Sequence, residues 1–419
     1  MTKDTAAALS LLNAAAVRTR AKRMLALGLD DQLPHFRVAL ERLDEAVDRV
    51  VAITRKNYPT LDVPCHSRWR HFEDFLGGNF YEFLFEEFRG DQRARARVAF
   101  DLVFVSVLLD AGAGSRWRYF NPDYGISSGR SEGLAAASLL MFVNGDFSAL
   151  ADASHPTPQE DRLRADAATL AHLDIKTLNE GFQVSADNPL PGLEGRVELL
   201  RALGRVVLTR PEIFALRDSP RPGGFFDYLA AKAEDKIIPA PLILAELLQK
   251  FGPIWPSRLT LGGVALGDCW HHPAIVTDDA TSGLVPLHKL SQWLAYSLIE
   301  PLQRAGFTVT DIDGLTGLAE YRNGGLFVDT GVLVPRDMSD TARAHEVGSP
   351  LVVEWRALTV ALLDRLALAV RAKLDKNAAA LPLAKVLQGG SWAAGRELAF
   401  ALRPDGSPPI KVLSDGTVF

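Results

Sequence analysis

The sequence predicts a compact, mainly α-helical fold with a few short strands. Apolar residues recur at spacings of three and four between charged ones along most of the chain, which is the pattern of amphipathic helices. Strand patterns are confined to residues 326–334 and to the C-terminal stretch 410–419. A further stretch, 93–110, is apolar on nearly every side and predicts a helix buried in the core.

The predicted elements follow in chain order. Residues 326–334 (LFVDTGVLV) predict a strand, and Asp415-Gly416 predicts a hairpin turn between two short C-terminal strands. Proline- and glycine-rich stretches at 188–192 and 219–224 predict loops, and we expect either one domain, 1–419, or two closely packed helical lobes, 1–190 and 191–419. The helical pattern covers 6–27, 33–53, 93–110, 131–142, 159–173, 196–207, 240–251, 286–303, 351–373 and 394–401.

Composition excludes several classes of protein. A chain with 47% hydrophobic and 23% charged residues has ample material for a large core. Its net charge of −5, with scattered Lys and Arg, predicts no nucleic-acid partner, and its apolar stretches are too short for a membrane span. We expect a cytoplasmic protein with a small-molecule ligand and no cofactor, because signal-peptide and glycine-rich nucleotide motifs are absent.

The first polar cluster is the segment HSRWRHFEDFLGG. Two histidines and two arginines flank one tryptophan, which together provide a stacking surface and donors for an anion. The alternative interpretation is a half-buried helix start with solvated arginines. The candidate binding residues here are His66, Arg68, Trp69, Arg70 and His71.

The segment GSRWRYFNPDYGISSGRSEGL repeats this theme with Trp117. Its Gly129-Arg130-Ser131-Glu132 run opens a predicted helix, whose N-terminal amides could hold an anion. A helix merely capped by Ser131 is the alternative. We therefore add Trp117, Arg130 and Glu132 to the candidate binding residues.

A third cluster lies at the start of the helix predicted from residue 286. His288 and Gln292 are four residues apart and share a face with Tyr296, so that this row, together with Lys289, could contact one edge of a ligand. His271 and His272 precede it, but no metal-binding spacing accompanies them, and we predict no metal site.

The segment LTGLAEYRNGGLFVDTGVLVPRD carries the candidate catalytic acids, Glu320 and Asp329. Apolar residues bracket Glu320, Tyr321 and Arg322, and the glycine pair that follows permits a tight turn that would bring both acids into one space. Buried carboxylates are costly unless they are paired or used in chemistry. Paired acids hydrolyse glycosidic bonds, where one stabilises positive charge on the sugar carbon and another group exchanges protons.

Several motifs along the chain resemble the uracil-catabolism protein family of the ring-opening (URC) pathway. They are HSRWRHFE, GRSEGLAAASLLMF, LHKLSQWLAYSLIEPLQRAG, LTGLAEYRNGGLFVDTGVL, EWRALTV, WAAGRELA and the terminal SDGTVF. The resemblance covers essentially the whole chain. It implies a role in pyrimidine breakdown after the uracil ring has been opened, where cleavage of a ribosylurea or its phosphate would give urea and ribose or ribose phosphate.

A fainter resemblance is to the queuosine 5′-phosphate N-glycosylase family, whose helical fold is similar to that of helix-hairpin-helix DNA glycosylases. That family has a lysine–x–x–glutamine helix, a stretch like LTxxADYR and an EIRA motif, in the order of Lys289 and Gln292, LTGLAEYR and EWRA here. The resemblance implies that Glu320 replaces the family's aspartate and that Tyr321 and Arg322 match directly. Ser297 stands where a second aspartate is expected.

Three hypotheses of different class follow. The first is a hydrolase of an N-glycosidic bond in a ring-opened pyrimidine nucleoside or nucleotide. The second is a metal-dependent amide hydrolase that acts on the urea part through His66, His71, His271 or His272. The third is a nucleotide-binding protein of the same pathway without catalytic activity.

Overall fold

The structure is a computed structural model of the 419-residue chain. It describes residues 2–76, 80–86, 88, 90–121, 125–151, 157–215, 219–255, 259–413 and 417.

Helices form most of the described chain, which confirms the predicted fold class. The helices are α1 (Lys3–Ser10), α2 (Ala14–Leu29), α3 (Leu43–Asn57), α4 (Arg68–Leu76), α5 (Phe80–Leu84), α6 (Gln92–Leu108), α7 (Arg130–Asn144), α8 (Gln159–Arg162), α9 (Ala167–Ala171), α10 (Ile175–Gly181), α11 (Leu193–Leu208), α12 (Pro211–Phe214), α13 (Gly224–Lys232), α14 (Ala240–Phe251), α15 (Lys289–Arg304), α16 (Tyr321–Asp329), α17 (Pro350–Leu374), α18 (Leu383–Val386) and α19 (Trp392–Leu402).

The described strands are short, and each pairs with one partner. Antiparallel pairs join β1 to β10, β2 to β3, β5 to β6 and β7 to β8, and parallel pairs join β4 to β9 and β11 to β12. The strands are β1 (Phe36–Val38), β2 (Arg118–Asn121), β3 (Ile126–Gly129), β4 (Ile237–Pro239), β5 (Thr260–Leu261), β6 (Val264–Ala265), β7 (Cys269–His271), β8 (Leu284–Pro286), β9 (Thr308–Thr310), β10 (Leu333–Pro335), β11 (Ala344–Glu346) and β12 (Lys411–Leu413).

One continuous hydrophobic core includes buried side chains from Leu12 to Ile410. Helix α6 crosses it and is buried on all sides from Val98 to Leu108, as its apolar sequence predicts. It packs against α7, α13 and α15, while the 25-residue helix α17 packs against α2 and α3. No helix in the described ranges is long and apolar enough to cross a bilayer.

The strand predicted over 326–334 is wrong for most of its length. Residues up to Asp329 belong to α16, and only Leu333–Pro335 form a strand. The glycine pair does not make a turn, because both glycines lie inside α16. Gly324 instead permits close packing, since a Cβ there would lie 2.7 Å from a ring atom of Trp355.

Four other predicted elements differ from the structure. One is the helix predicted over 33–53, because the first part of that range contains β1 and α3 begins only at Leu43. Asn13 caps α2 by accepting a hydrogen bond from the Ala16 amide, which breaks the helix predicted over 6–27. The helix predicted over 159–173 is interrupted between α8 and α9. The hairpin turn predicted at Asp415-Gly416 lies outside the described residues, and the strand before it, β12, pairs in parallel with β11.

Close contact between α16 and α19 depends on Gly395. A Cβ at this position would lie 2.0 Å from the Arg322 carbonyl oxygen, which is backbone and cannot rotate away. We expect Gly395→Ala to lower the free energy of unfolding by about 1–3 kcal/mol, as overpacking does elsewhere. The matched control is Gly252→Ala, where a Cβ has no neighbour within 4 Å. Denaturant unfolding measures both, and equal stability of the two variants would contradict this packing argument.

Candidate active site

A cavity between α4, α7, α15 and the start of α16 is lined by many of the chain's polar and aromatic side chains. It encloses about 580 Å³ of empty space, including its open mouth. The sequence-predicted residues that line it are His66, His71, Arg130, Lys289, Glu320 and Tyr321. The other lining residues are Asp110, Ala111, Gly112, Ala113, Ser131, Trp293, Leu318 and Trp392.

Glu320 lies at the N-terminus of α16 and caps this helix. Its two carboxylate oxygens accept hydrogen bonds from the Arg322 amide at 2.7 Å and the Asn323 amide at 2.6 Å. The residue is 8% exposed. Burial raises the pKa of Glu320 to about 7, although the Asn323 amide and the Lys289 ammonium oppose the shift. A carboxyl group with this pKa can both give and take a proton near neutral pH.

Lys289 faces the same cavity from the first turn of α15. Its amide donates to the Asp268 carboxylate at 2.9 Å, and the same carboxylate receives two bonds of 2.8 Å from Arg356. Burial lowers the pKa of the Lys289 ammonium. The Asp268–Arg356 pair therefore fixes the start of α15 and with it the position of Lys289.

The predicted row on α15 positions the loop before Glu320. Gln292 bonds to the amide and hydroxyl of Thr316, and the Tyr296 hydroxyl donates to the Thr316 carbonyl at 2.9 Å. His288 precedes α15 in a left-handed conformation, and its Nε2 lies 3.1 Å from the Leu11 carbonyl oxygen. Neither Gln292 nor His288 lines the cavity.

Aromatic rings form one wall. The His66 ring centroid lies 4.5 Å from that of Trp293, and the His71 ring lies 5.9 Å from Trp293 and 6.2 Å from Trp392. Burial lowers the pKa of His66 to about 4 and, with the nearby Arg68 charge, that of His71 to about 3, so both rings are neutral at pH 7. These flat surfaces suit a planar group.

The polar atoms of this wall are both donors and acceptors. His66 Nδ1 donates to Gln388 Oε1 at 2.8 Å, which leaves its Nε2 as an acceptor. His71 Nδ1 accepts from Arg68 at 3.2 Å, which leaves its Nε2 as a donor. The buried Trp293 Nε1 has no hydrogen-bond partner among the described residues.

A π-helical turn, Leu387–Ser391, holds several of these groups in place. Its Gln388 binds His66, and the Ser391 hydroxyl donates to the Asn323 side chain at 2.9 Å. Trp392 of the cavity wall follows directly. Single π-helical turns are rare and frequently occur at functional sites.

Arg68 does not line the cavity but connects three of its walls. The buried guanidinium contacts Asp110 at 3.1 Å, His71 at 3.2 Å and the Ser131 carbonyl at 3.2 Å. It also binds the hydroxyl of Ser106 at 2.8 Å. Arg68 is therefore a positioning residue rather than the ligand contact that we predicted.

The remaining candidates from the N-terminal half, Trp69, Arg70, Trp117 and Glu132, do not line the cavity. Trp69 and Trp117 are core residues whose ring N–H groups donate to the Ser297 and Phe182 carbonyls. Arg70 pairs with Glu73 and Glu300. Glu132 pairs with Arg396, which stacks on Trp392 at 5.3 Å.

Helix α7 begins at the cavity, as predicted, but its cap differs. Gly129 is the N-cap residue and contributes no side-chain bond, whereas Ser131 lies in the first turn. Arg130 has a left-handed φ of 54° and donates to the Asp405 and Gly406 carbonyls. The Arg322 guanidinium is buried away from the cavity and also donates to Gly406, at 2.9 Å.

The structure does not bring Asp329 to Glu320. Asp329 is the last residue of α16, and its carboxylate pairs with Arg403 through both oxygens. It lines a different surface groove. A helix, rather than the tight turn expected from the glycine pair, separates the two acids.

The sequence interpretation assigned no role to Asp110, Trp293 or Trp392. Asp110 lies two residues beyond the end of α6, whose C-terminal half is largely apolar, and an acid at the end of such a run was the available signal. The two charged residues of the EWRA motif have different partners, because Glu354 contacts His272 at 3.3 Å and Arg356 binds Asp268. Neither of them lines the cavity.

Comparison with known proteins gives a family. A family model described as "Protein of unknown function (DUF1688)" matches residues 10–419. "Uracil catabolism protein 4" of Lachancea kluyveri is 38% identical, over 93% of this chain and 93% of that protein. "Protein urg3" of Schizosaccharomyces pombe is 38% identical, over 98% of each chain.

Proposed function

We propose a function from the premise that this chain belongs to the DUF1688 family. The name of the Lachancea kluyveri relative supports a role in uracil catabolism. Within it, we assign the chain the hydrolysis of an N-glycosidic bond in a ring-opened nucleoside or nucleotide. The substrate class is ribosylurea or its phosphate, and the products are urea and ribose or ribose phosphate.

The observation that carries this proposal is Glu320 in its cavity. A buried carboxyl group with a pKa of about 7 lies beside an ammonium group and an aromatic wall. Such a group suits proton exchange with a departing nitrogen and with water. The neutral His66 and His71 and the indole of Trp293 supply donors and acceptors that match the N–H and carbonyl groups of urea.

The proposed reaction uses one proton and one water. Glu320 gives its proton to the ribosyl-bound nitrogen, and the bonding electrons leave with the urea as the C1′–N bond breaks. Water then adds its oxygen to C1′ and returns a proton to the Glu320 carboxylate. Lys289 and Arg130 are the cationic groups available to ribose hydroxyls or a phosphate, and the N-terminus of α7 adds the partial positive charge of its backbone N–H groups.

The direct test is product analysis with ribosylurea and ribosylurea phosphate. We expect equimolar release of urea and the free sugar, with a rate unchanged by a chelator. Ammonia and carbon dioxide in place of urea would identify the amide hydrolase instead. The absence of any product from either substrate at high enzyme concentration would refute hydrolysis.

The metal-dependent alternative gains no support from side-chain positions. In the ranges that the structure describes, no three His, Cys, Asp or Glu side chains are grouped to hold a metal ion. His66 and His71 share the cavity, but His271 and His272 do not line it. Stoichiometric bound metal in the purified protein, with activity lost to a chelator, would nevertheless favour this alternative.

A further inference from the structure

We infer that Asp110 is the second catalytic acid of this cavity, whose carboxylate stabilises the positive charge that develops on the ribosyl carbon. This inference rests on the proposed N-ribosyl hydrolysis and adds to it a second acid that acts beside Glu320. It replaces Asp329, which the sequence pattern suggested for that role.

The position of Asp110 supports the assignment. The residue follows α6 and lines the cavity together with Glu320 and Lys289. It is 7% exposed, so its charge is largely removed from water. A buried carboxylate is costly unless it has partners or a chemical role.

The Asp110 carboxylate also has an unused acceptor. The Arg68 guanidinium lies 3.1 Å from Oδ1 and supplies a counter-charge. The two groups are not aligned for a hydrogen bond, however, and Oδ1 has no hydrogen-bond partner among the described residues. Buried acceptors are rarely left unsatisfied, and one in a cavity wall indicates a bond that a ligand completes.

The other two candidate acids differ from Asp110 in this respect. Both Glu320 oxygens accept backbone amides, and both Asp329 oxygens accept Arg403. Arg403 thus already binds both carboxylate oxygens of Asp329, which lies in another groove. Asp110 is the acid whose geometry leaves room for a cationic or hydroxyl-bearing ligand.

The roles of the two acids are complementary. Burial, with a smaller contribution from the charge of Asp110, disfavours ionisation of Glu320 and raises its pKa, so that Glu320 is the proton donor, whereas the Arg68 guanidinium supplies a counter-charge to Asp110. As the C1′–N bond breaks, its electrons leave with the nitrogen, which takes the proton of Glu320. The cationic C1′ then lies against the Asp110 carboxylate until water adds.

The test compares Asp110→Asn with Asp101→Asn. Asp101 is a matched control because it is a buried aspartate on the same helix, paired with Arg221 outside the cavity. We expect Asp110→Asn to lower kcat at least about 100-fold, the scale of lost electrostatic stabilisation. It should also weaken binding of a protonated iminoribitol, a cationic ribose mimic, at least about 10-fold. Asp101→Asn should keep both properties, and thermal unfolding verifies that the variants are folded.

The outcomes separate this inference from the proposed function. Wild-type turnover with an equally active Asp110→Asn would overturn the role of Asp110 alone. If the wild type hydrolyses neither substrate, the proposed function fails, and iminoribitol binding then tests whether Asp110 forms a cation site. Weaker binding by Asp110→Asn than by the wild type would support that site, and equal binding would overturn it.

A measurement on the wild type covers the case in which Asp110→Asn does not fold. At about pH 5.5, Glu320 is protonated, because its pKa is about 7. We then expect the wild type to bind the iminoribitol at least about 10-fold more tightly than its uncharged oxygen analogue. Equal affinities for the two would overturn the inference.

Discussion

Replacing Glu320 with glutamine is expected to lower kcat for ribosylurea hydrolysis by about 100- to 10,000-fold, the range that general acid–base catalysis supplies. The amide has nearly the same shape but carries no transferable proton. Its oxygen can still accept one of the two backbone amides that Glu320 caps, so the fold should survive with a loss of about 1 kcal/mol. Single-turnover urea release measures the effect.

The matched control for this variant is Asp91→Asn. Asp91 caps α6 by accepting the Ala94 amide at 2.8 Å, at an exposed site outside the cavity. Loss of a capping carboxylate is thus common to both variants, whereas loss of a proton donor belongs to Glu320→Gln alone. Turnover by Glu320→Gln that equals turnover by Asp91→Asn would remove Glu320 from the mechanism.

The pH dependence follows from the raised pKa of Glu320. Its folded-state pKa of about 7 exceeds the ordinary value of 4.5, so between these values the folded protein holds a proton that the unfolded chain has lost. Stability therefore decreases as pH rises through this window, and Glu320→Gln should flatten that decrease. In the wild type, kcat/KM should fall as pH rises above about 7, because the acid form is then lost.

The sequence predicts those parts of the fold that depend on local pattern. Helices α6, α14 and α17 carry long periodic or wholly apolar runs, and their predicted and observed positions agree closely. The stretch LFVDTGVLV has strand propensity, but its first four residues form the end of α16, because burial of Leu326 and Phe327 in this helix outweighs that preference. Local propensity is a weak guide where packing between distant segments decides.

In the candidate site, too, local sequence pattern predicts some residues, and packing between distant segments decides the others. Glu320 and Lys289 could be found because each lies in a short polar motif within apolar sequence. Asp110 could not be paired with them, because about 180 residues separate it from Lys289, and the two come together only in the folded chain, where α6 packs against α15. The sequence pattern around Arg68 and Trp69 is typical of a binding motif, but both side chains are buried and support the cavity wall from behind.

The second large effect is expected for Arg356→Met. This change leaves the Asp268 carboxylate buried without the cation that binds it through two bonds of 2.8 Å. Breaking a buried pair from one side costs about 3–5 kcal/mol, and we expect this loss in the free energy of unfolding at pH 7. Because Asp268 also binds the Lys289 amide, turnover should fall as well.

Two controls distinguish an orphaned buried charge from a general loss of packing. Arg205→Met removes an exposed pair with Glu198, whose side chains are 53% and 59% exposed, and should cost at most about 1 kcal/mol. The double variant Asp268→Asn/Arg356→Met removes both charges and should be more stable than Arg356→Met alone. A double variant less stable than the single one would contradict the argument.

Acid titration provides an independent measure of the same pair. Burial opposes ionisation of Asp268, but the Arg356 guanidinium outweighs it and lowers the pKa of Asp268 to about 2. Since this value lies below the ordinary value of 3.8, the pair stabilises the fold above about pH 4, and that contribution is lost as pH falls toward 2. Without Arg356 the native carboxylate loses this advantage, so the variant's stability should depend less on pH in that window. An unchanged acid dependence in Arg356→Met would mean that Asp268 obtains its stabilisation from the Trp270 and Lys289 N–H groups instead.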